Sequence, residues 1–243
     1  MIFPQAYWLG PAGWLHIFYF GIVIPAMVAL GRRRIVVGST PLPPRLAHFK
    51  STAIQLTMFG AVSLAVARVQ RVELFPTEGV HLLRGLLAGV AAYAAAVALM
   101  RPRWRRAVEQ RLPAIHFFTP ENRAERAWWV AVSALAGVSE EITWRGVQTA
   151  LLVALTGSLP VAALLSALSF GAAHMIQGWK SAALIVLFGL GFQVVVWASG
   201  SLYVAMGVHF AYDLTAGFAY GRLARELGYA GRTAEPAETP ARS

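Results

Sequence analysis

The sequence has no cysteine and few charged residues for its length. Without cysteine the chain can form neither disulfide bonds nor thiolate metal sites, and it has no cysteine nucleophile. Charged residues make up 13% of its 243 residues, whereas soluble domains carry roughly a quarter. This shortage of charge excludes an ordinary soluble fold.

Hydrophobic residues account for 57% of the chain and are gathered in long runs. A transmembrane helix needs about 20 apolar residues, and the sequence predicts an all-α fold, a polytopic membrane helical bundle with about seven transmembrane helices. The count becomes six to eight if a short segment is re-entrant or merged. The membrane domain is expected to cover residues 1–221, and the polar tail 222–243 is expected to be disordered. The predicted segments lie at about 12–30, 52–67, 80–100, 127–155, 160–177, 179–198 and 201–220.

The basic residues flank the apolar segments and form no groove-sized patch. This distribution favours anionic lipid headgroups as a partner and argues against nucleic acid. Most of the basic residues fall in regions 31–51 and 101–126 and in the tail, so the positive-inside rule predicts an outside N terminus and a cytoplasmic C terminus. Because no basic region precedes the first apolar run, that run is expected to be a retained anchor.

Three charged residues inside the fourth segment break the apolar pattern: Glu140, Glu141 and Arg145. Ionisable groups are costly within a membrane span and tend to be functional there. Glu141 and Arg145 lie four residues apart on one helical face and can form an ion pair. One arginine cannot neutralise both carboxylates, so Glu140 is left as a candidate general base. The alternative is a buried pair that only locks helices together.

Two histidines are expected at the depth of Glu140. Segments four and five form an antiparallel hairpin, and at 1.5 Å per residue Glu140 and His174 both lie roughly 21 to 22 Å from the shared turn. His209 and Asp213 are one helical turn apart on segment seven and reach an overlapping depth. The other histidines have no acidic partner at matching depth and are interpreted as packing or loop residues: His16, His48, His81 and His116.

Carboxylates and imidazoles in a shielded cavity suit hydrolysis by a glutamate-activated water. In this hypothesis Glu140 takes the proton from water, and His174 with Glu141 positions that water. The remaining groups stabilise the developing oxyanion, through His209 with Asp213 or through Arg145.

A zinc site is the alternative for the same residue types. His174, His209 and Glu140 would supply two imidazoles and one acid to a catalytic zinc, with the other glutamate as base. The zinc signature His-Glu-x-x-His is absent. We therefore predict that no cofactor is required and keep zinc as the alternative.

The motifs Glu-Glu-x-x-x-Arg, Phe-x-x-x-His and His-x-x-x-Asp follow one another on successive predicted helices. In this order they resemble the CAAX prenyl protease and bacteriocin-processing family, also called the Abi family, of intramembrane endopeptidases. The resemblance covers roughly residues 127–220 and implies a glutamate-dependent intramembrane protease, often labelled a metalloprotease. The matching positions are Glu140, Glu141, Arg145, Phe170, His174, His209 and Asp213.

Two positions depart from the family pattern. Trp144 stands where the family commonly has phenylalanine, and Asp213 stands where it often has asparagine. The second departure bears on how His209 is oriented or charged. Residues 1–126 carry no matched motif, so the resemblance names no substrate.

The predicted function is hydrolysis of a peptide bond in a membrane-embedded protein or peptide. Arginine outnumbers lysine and alanine is abundant, which favours a bacterial inner membrane and a peptide tail or leader rather than a prenylated substrate. One alternative is a proton- or ion-coupled transporter, which the lack of a second copy of the segment-four pattern disfavours. Another is a non-catalytic bacteriocin-immunity protein in which the same residues only hold the helices together.

Overall fold

A computed structural model describes residues 9–36 and 42–229, and this part of the chain contains seven helices and no strand. The predicted all-α helical bundle is confirmed. Two helices contain a π-helical segment, and short 3₁₀ turns lie at Pro113–Phe118 and Met175–Gln177. The helices are α1 (Pro11–Phe18, π-helical Tyr19–Val23 and Ile24–Val36), α2 (Arg45–Gln70), α3 (Leu82–Glu109), α4 (Arg123–Glu140, π-helical Glu141–Gln148 and Thr149–Thr156), α5 (Leu159–Ala173), α6 (Trp179–Ser199) and α7 (Leu202–Glu226).

The outer surface of the bundle carries many large apolar side chains. Ile54, Leu83 and Trp197 are 68%, 72% and 71% exposed, an arrangement that is unfavourable in water and favourable in lipid. Among the described residues, four helices are long and apolar enough to cross a bilayer: Pro11–Arg33, Arg45–Gln70, Leu82–Glu109 and Trp179–Ser199. The chain is a membrane protein.

Several helix boundaries differ from the sequence predictions, for example the end of α3 at Glu109 rather than at residue 100. Ion pairs lie at two of these boundaries. Helix α2 begins at Arg45 rather than at residue 52, because the buried Arg45 is neutralised by Glu121 at 2.6 Å and by Glu125 at 3.4 Å. Helix α7 continues past the predicted boundary at residue 221, and Arg222 pairs with Glu226 at 2.7 Å one turn later. The remainder of the predicted tail, residues 230–243, lies outside the described residues.

The arginine-rich connections meet at one end of the bundle. His116 Nε2 lies 2.8 Å from the carbonyl oxygen of Pro43, which joins the α3–α4 connection to the α1–α2 connection. At the opposite end, the His81 N–H donates to the Ser199 carbonyl at 2.7 Å, so α3 begins where α6 ends. Helices that follow one another in sequence therefore run antiparallel, and the end that carries these arginines is called the basic end.

A glycine allows α4 and α7 to approach closely. A Cβ atom on Gly137 would lie 2.8 Å from the Met206 carbonyl oxygen and 3.0 Å from the Phe210 nitrogen. Both are backbone atoms that cannot move aside, so a larger residue would separate the helices. One turn further along each helix, this contact brings Glu140 and His209 toward each other.

Candidate active site

The helix that carries the acidic pair changes from α to π at Glu141, whereas the sequence analysis assumed α-helical spacing throughout. All eight residues of the π-helical segment Glu141–Gln148 are buried. The Thr149 N–H donates to the carbonyl of Trp144, five residues earlier. That carbonyl also accepts hydrogen bonds from the hydroxyls of Thr149 and Ser166, each at 2.7 Å. These bonds satisfy the Trp144 carbonyl in the apolar interior. Segments of this rare π-helical type frequently occur at functional sites.

The ion pair predicted from the spacing of Glu141 and Arg145 forms within the π-helical segment. Arg145 Nη1 lies 3.2 Å from Glu141 Oε1, and the two side chains are 2% and 0% exposed. The Arg145 guanidinium also lies 4.0 Å from the centroid of the Phe170 ring, and this cation–π contact further stabilises its buried charge.

His209 connects this ion pair to two further carboxylates. Its Nδ1 donates to Glu141 Oε1 at 2.8 Å, which fixes the orientation of the ring. Its Nε2 lies 3.6 Å from Glu140 Oε2 and also 3.6 Å from Asp213 Oδ2. The buried imidazole is therefore held by one acid and directed between two others.

His174 lies at the C-terminal end of α5, just beyond its last helical residue. Its Nδ1 donates to the Phe170 carbonyl at 2.8 Å, and its ring packs 4.5 Å from the Phe170 ring. The sequence hypothesis paired His174 with Glu141, whereas Glu141 accepts its hydrogen bond from His209. With Nδ1 engaged, Nε2 is the nitrogen of His174 that remains for other partners.

A cavity of about 210 Å³ joins the basic end to these polar groups. Glu140, His174, His209 and Asp213 all line it. Glu141 and Arg145 lie behind this wall, so the six predicted site residues divide into four that share the cavity and two that support it. The rest of the wall is mainly aromatic and apolar, with contributions near the basic end from His48, Thr52, Phe117, Gln177 and Tyr220.

Sequence reasoning missed two histidines with buried contacts. His48 lines the cavity and its ring lies 4.5 Å from that of Phe117, and His16 forms buried hydrogen bonds through both ring nitrogens. Both were interpreted as packing or loop residues because neither has an acidic partner at matching depth. No short connection ties α1 or α2 to α4, so the sequence carried no signal for their depth.

The donors suggested for zinc do not form a ligand set. Within residues 9–36 and 42–229, no group of three or more His, Asp or Glu side chains is arranged as metal ligands. His174, His209 and Glu140 share the cavity, but both nitrogens of His209 face carboxylates. The residues as arranged do not fit the three-donor site of a catalytic zinc. Metal independence itself stays a prediction.

The fold and the site together define a class of protein: a helical membrane protein with a carboxylate–imidazole cluster at the inner end of an apolar cavity. Comparison with protein-family models is more specific. Residues 122–215 match the Rce1-like family, described as type II CAAX prenyl endopeptidase Rce1-like. These residues are therefore similar to a CAAX protease domain, which confirms the resemblance drawn from the motifs and implies a protease. Comparisons with curated proteins and with solved structures give no match.

Proposed function

We propose that this protein is an intramembrane endopeptidase that hydrolyses a peptide bond with a water activated by Glu140. The supporting observation is that Glu140 shares one cavity with Asp213 and with the imidazoles of His174 and His209. The Glu140 side chain is 12% exposed, whereas that of Glu141 is fully buried. Glu140 is thus the member of the acidic pair that a water molecule can reach, as a general base requires.

In the proposed reaction Glu140 takes a proton from the water as the water oxygen attacks the peptide carbonyl carbon. Glu140 then returns that proton to the leaving nitrogen, so that the C–N bond breaks and one water is consumed. His209, when protonated at Nε2, donates a hydrogen bond to the carbonyl oxygen as it becomes negative. Glu141 and Arg145 are positioning residues in this scheme, because Glu141 holds His209 and Arg145 holds Glu141.

His174 and Asp213 have supporting roles in the proposed reaction. The bond from His174 Nδ1 to the Phe170 carbonyl leaves Nε2 as an acceptor in the neutral ring. That nitrogen can hold the second hydrogen of the attacking water and so orient its lone pair. Asp213 lies 3.6 Å from His209 Nε2 and compensates the positive charge of a protonated His209.

The substrate we propose is the peptide tail or leader of a membrane-anchored protein, which enters the cavity from the basic end. Aromatic and apolar walls suit apolar peptide side chains. By the positive-inside rule we assign the basic end to the cytoplasmic face of a bacterial inner membrane. Because the chain has no cysteine, single cysteines introduced into the connections test this orientation. Labelling of region 101–126 from the outside would contradict it.

Cleavage of candidate membrane-anchored peptides by the purified protein, followed by mass spectrometry, tests the proposed function. We expect two new termini at one position, and we expect a strong chelator to change the rate by less than about twofold because a carboxylate supplies the base. Loss of activity on chelation that returns with zinc would overturn the metal-free mechanism. Uptake of a solute into vesicles without any cleavage by the same preparation would overturn the endopeptidase function.

A further inference from the structure

A second buried polar cluster lies outside the cavity and connects α1, α2 and α4. His16 Nδ1 donates to Gln148 Oε1 at 3.0 Å, and His16 Nε2 shares a hydrogen bond with Ser63 Oγ at 3.0 Å. Ser63 Oγ in turn shares a hydrogen bond with Thr143 Oγ1 at 2.9 Å. All four side chains are buried. A continuous series of hydrogen bonds thus leaves α4 at Thr143 and returns to it at Gln148.

The two ends of this series are five residues apart, and both belong to the π-helical segment of α4. In an α-helix, five residues turn through about 500°, so their side chains would point roughly 140° apart. In a π-helix the backbone hydrogen bonds join residues five apart, which therefore lie one turn apart on the same side. The bridge through His16 and Ser63 consequently fits the π-helical register and not the α-helical one.

The register of this segment also determines the geometry of the candidate active site. Glu141 is the first residue of the π-helical segment and holds His209 at 2.8 Å, while Glu140 is the last residue of the preceding α-helix. A return of the segment to α-helix would rotate its residues about the helix axis relative to the packed ends of α4. Glu141 would then move relative to His209.

We propose that His16, through its bridge with Ser63, is a positioning residue that locks Glu141–Gln148 in the π-helical register. It touches neither the cavity nor the reacting groups, and it acts on them through Thr143 and Gln148. The expected effect of His16 on kcat rests on the proposed function, whereas its effect on the helical register does not. Because α1 and α2 lie outside the matched residues 122–215, this assigns part of the site's geometry to helices without any family motif.

The test compares two substitutions of His16. His16→Leu removes both hydrogen bonds, whereas His16→Gln keeps one side-chain donor and one acceptor. We expect His16→Leu to lower kcat about tenfold with KM changed by less than about twofold, because geometry is lost and substrate contacts are not. His16→Gln should recover most of that loss. If His16 only fills the core, His16→Gln should have no higher kcat than His16→Leu.

Thr143→Val breaks the other end of the same bridge and provides a second route to the test. It should also lower kcat, and its combination with His16→Leu should cost no more than the larger single effect, because both changes break one structure. Purely additive losses would show that the two residues act separately and would overturn the bridge. This variant also keeps the test open if His16→Leu does not fold.

Val108→Ala serves as the control for a general loss of stability, because Val108 is buried near the end of α3 and lies off the cavity wall. Its Tm should fall while its kcat stays at the wild-type value. A kcat loss in Val108→Ala equal to that of His16→Leu at the same fall in Tm would overturn the proposal. Wild-type kcat in His16→Leu would overturn it as well.

Amide hydrogen exchange across residues 141–148 supplies a readout that is independent of activity. We expect faster exchange in His16→Leu and unchanged exchange in Val108→Ala, because only the first releases the segment. If the wild type cleaves no peptide but the exchange changes in this way, the proposed function fails and the register lock stands. If the wild type is inactive and amide exchange in His16→Leu is unchanged, the proposed lock on the π-helical register is overturned as well.

Discussion

The Glu140→Gln variant is expected to cleave peptides about 10²–10⁴-fold more slowly than the wild type, which is the range for loss of a general base. Glutamine keeps the shape of the side chain but cannot accept the proton of water. The fold should survive, because among the described residues the contact of Glu140 with His209 is 3.6 Å long and Arg145 pairs with Glu141 instead. Steady-state cleavage and the Tm in detergent measure the two effects.

Glu109→Gln is the matched control for Glu140→Gln. It makes the same chemical change in an exposed pair with Arg105 at 2.9 Å, and such surface pairs contribute about 0–1 kcal/mol. Both its activity and its stability should therefore stay near those of the wild type. If Glu140→Gln keeps more than about a tenth of the wild-type rate, Glu140 does not act as the general base.

The Arg145→Met variant is expected to lose the most stability of the changes considered, about 3–5 kcal/mol in the free energy of unfolding. Methionine replaces the length of the side chain but leaves Glu141 as a buried carboxylate without its cation. The cost is large because Glu141 is fully buried, and its Oε2 already has no hydrogen-bond partner among the described residues. Denaturant unfolding in detergent measures the loss.

The double variant Glu141→Gln with Arg145→Met separates the stability of the pair from its role at the site. Removing both charges leaves no isolated ion, so a large part of the stability should return. Activity should stay low, because His209 loses the carboxylate that holds its Nδ1 at 2.8 Å. An Arg145→Met variant as stable as the wild type would contradict the structural role assigned to this ion pair.

Much of the site could be predicted because charged residues are conspicuous in apolar segments. The four-residue spacing of Glu141 and Arg145 predicted their ion pair, which forms. The short connection between α4 and α5 allowed the depths of Glu140 and His174 to be compared, and both residues line one cavity. In each case the prediction related residues within one helix or residues on two helices joined by a single tight turn.

The features that sequence reasoning missed depend on partners far away along the chain. The π-helical segment could not be predicted from the sequence, because its side-chain partners His16 and Ser63 lie on α1 and α2. The early start of α2 depends on Arg45, whose partner Glu125 follows 80 residues later. No local periodicity records such contacts, which exist only once the helices have packed.

Single-turnover cleavage in oxygen-18-labelled water, with the enzyme in excess over the peptide, tests the central claim most directly. If Glu140 activates water, one labelled oxygen should appear in the new carboxyl terminus of the product and none in the enzyme fragment that contains Glu140. If Glu140 attacked the peptide itself, labelled water that opened the resulting anhydride at the Glu140 carbonyl would leave label in the Glu140 side chain. Label in that fragment would contradict the water-activation mechanism.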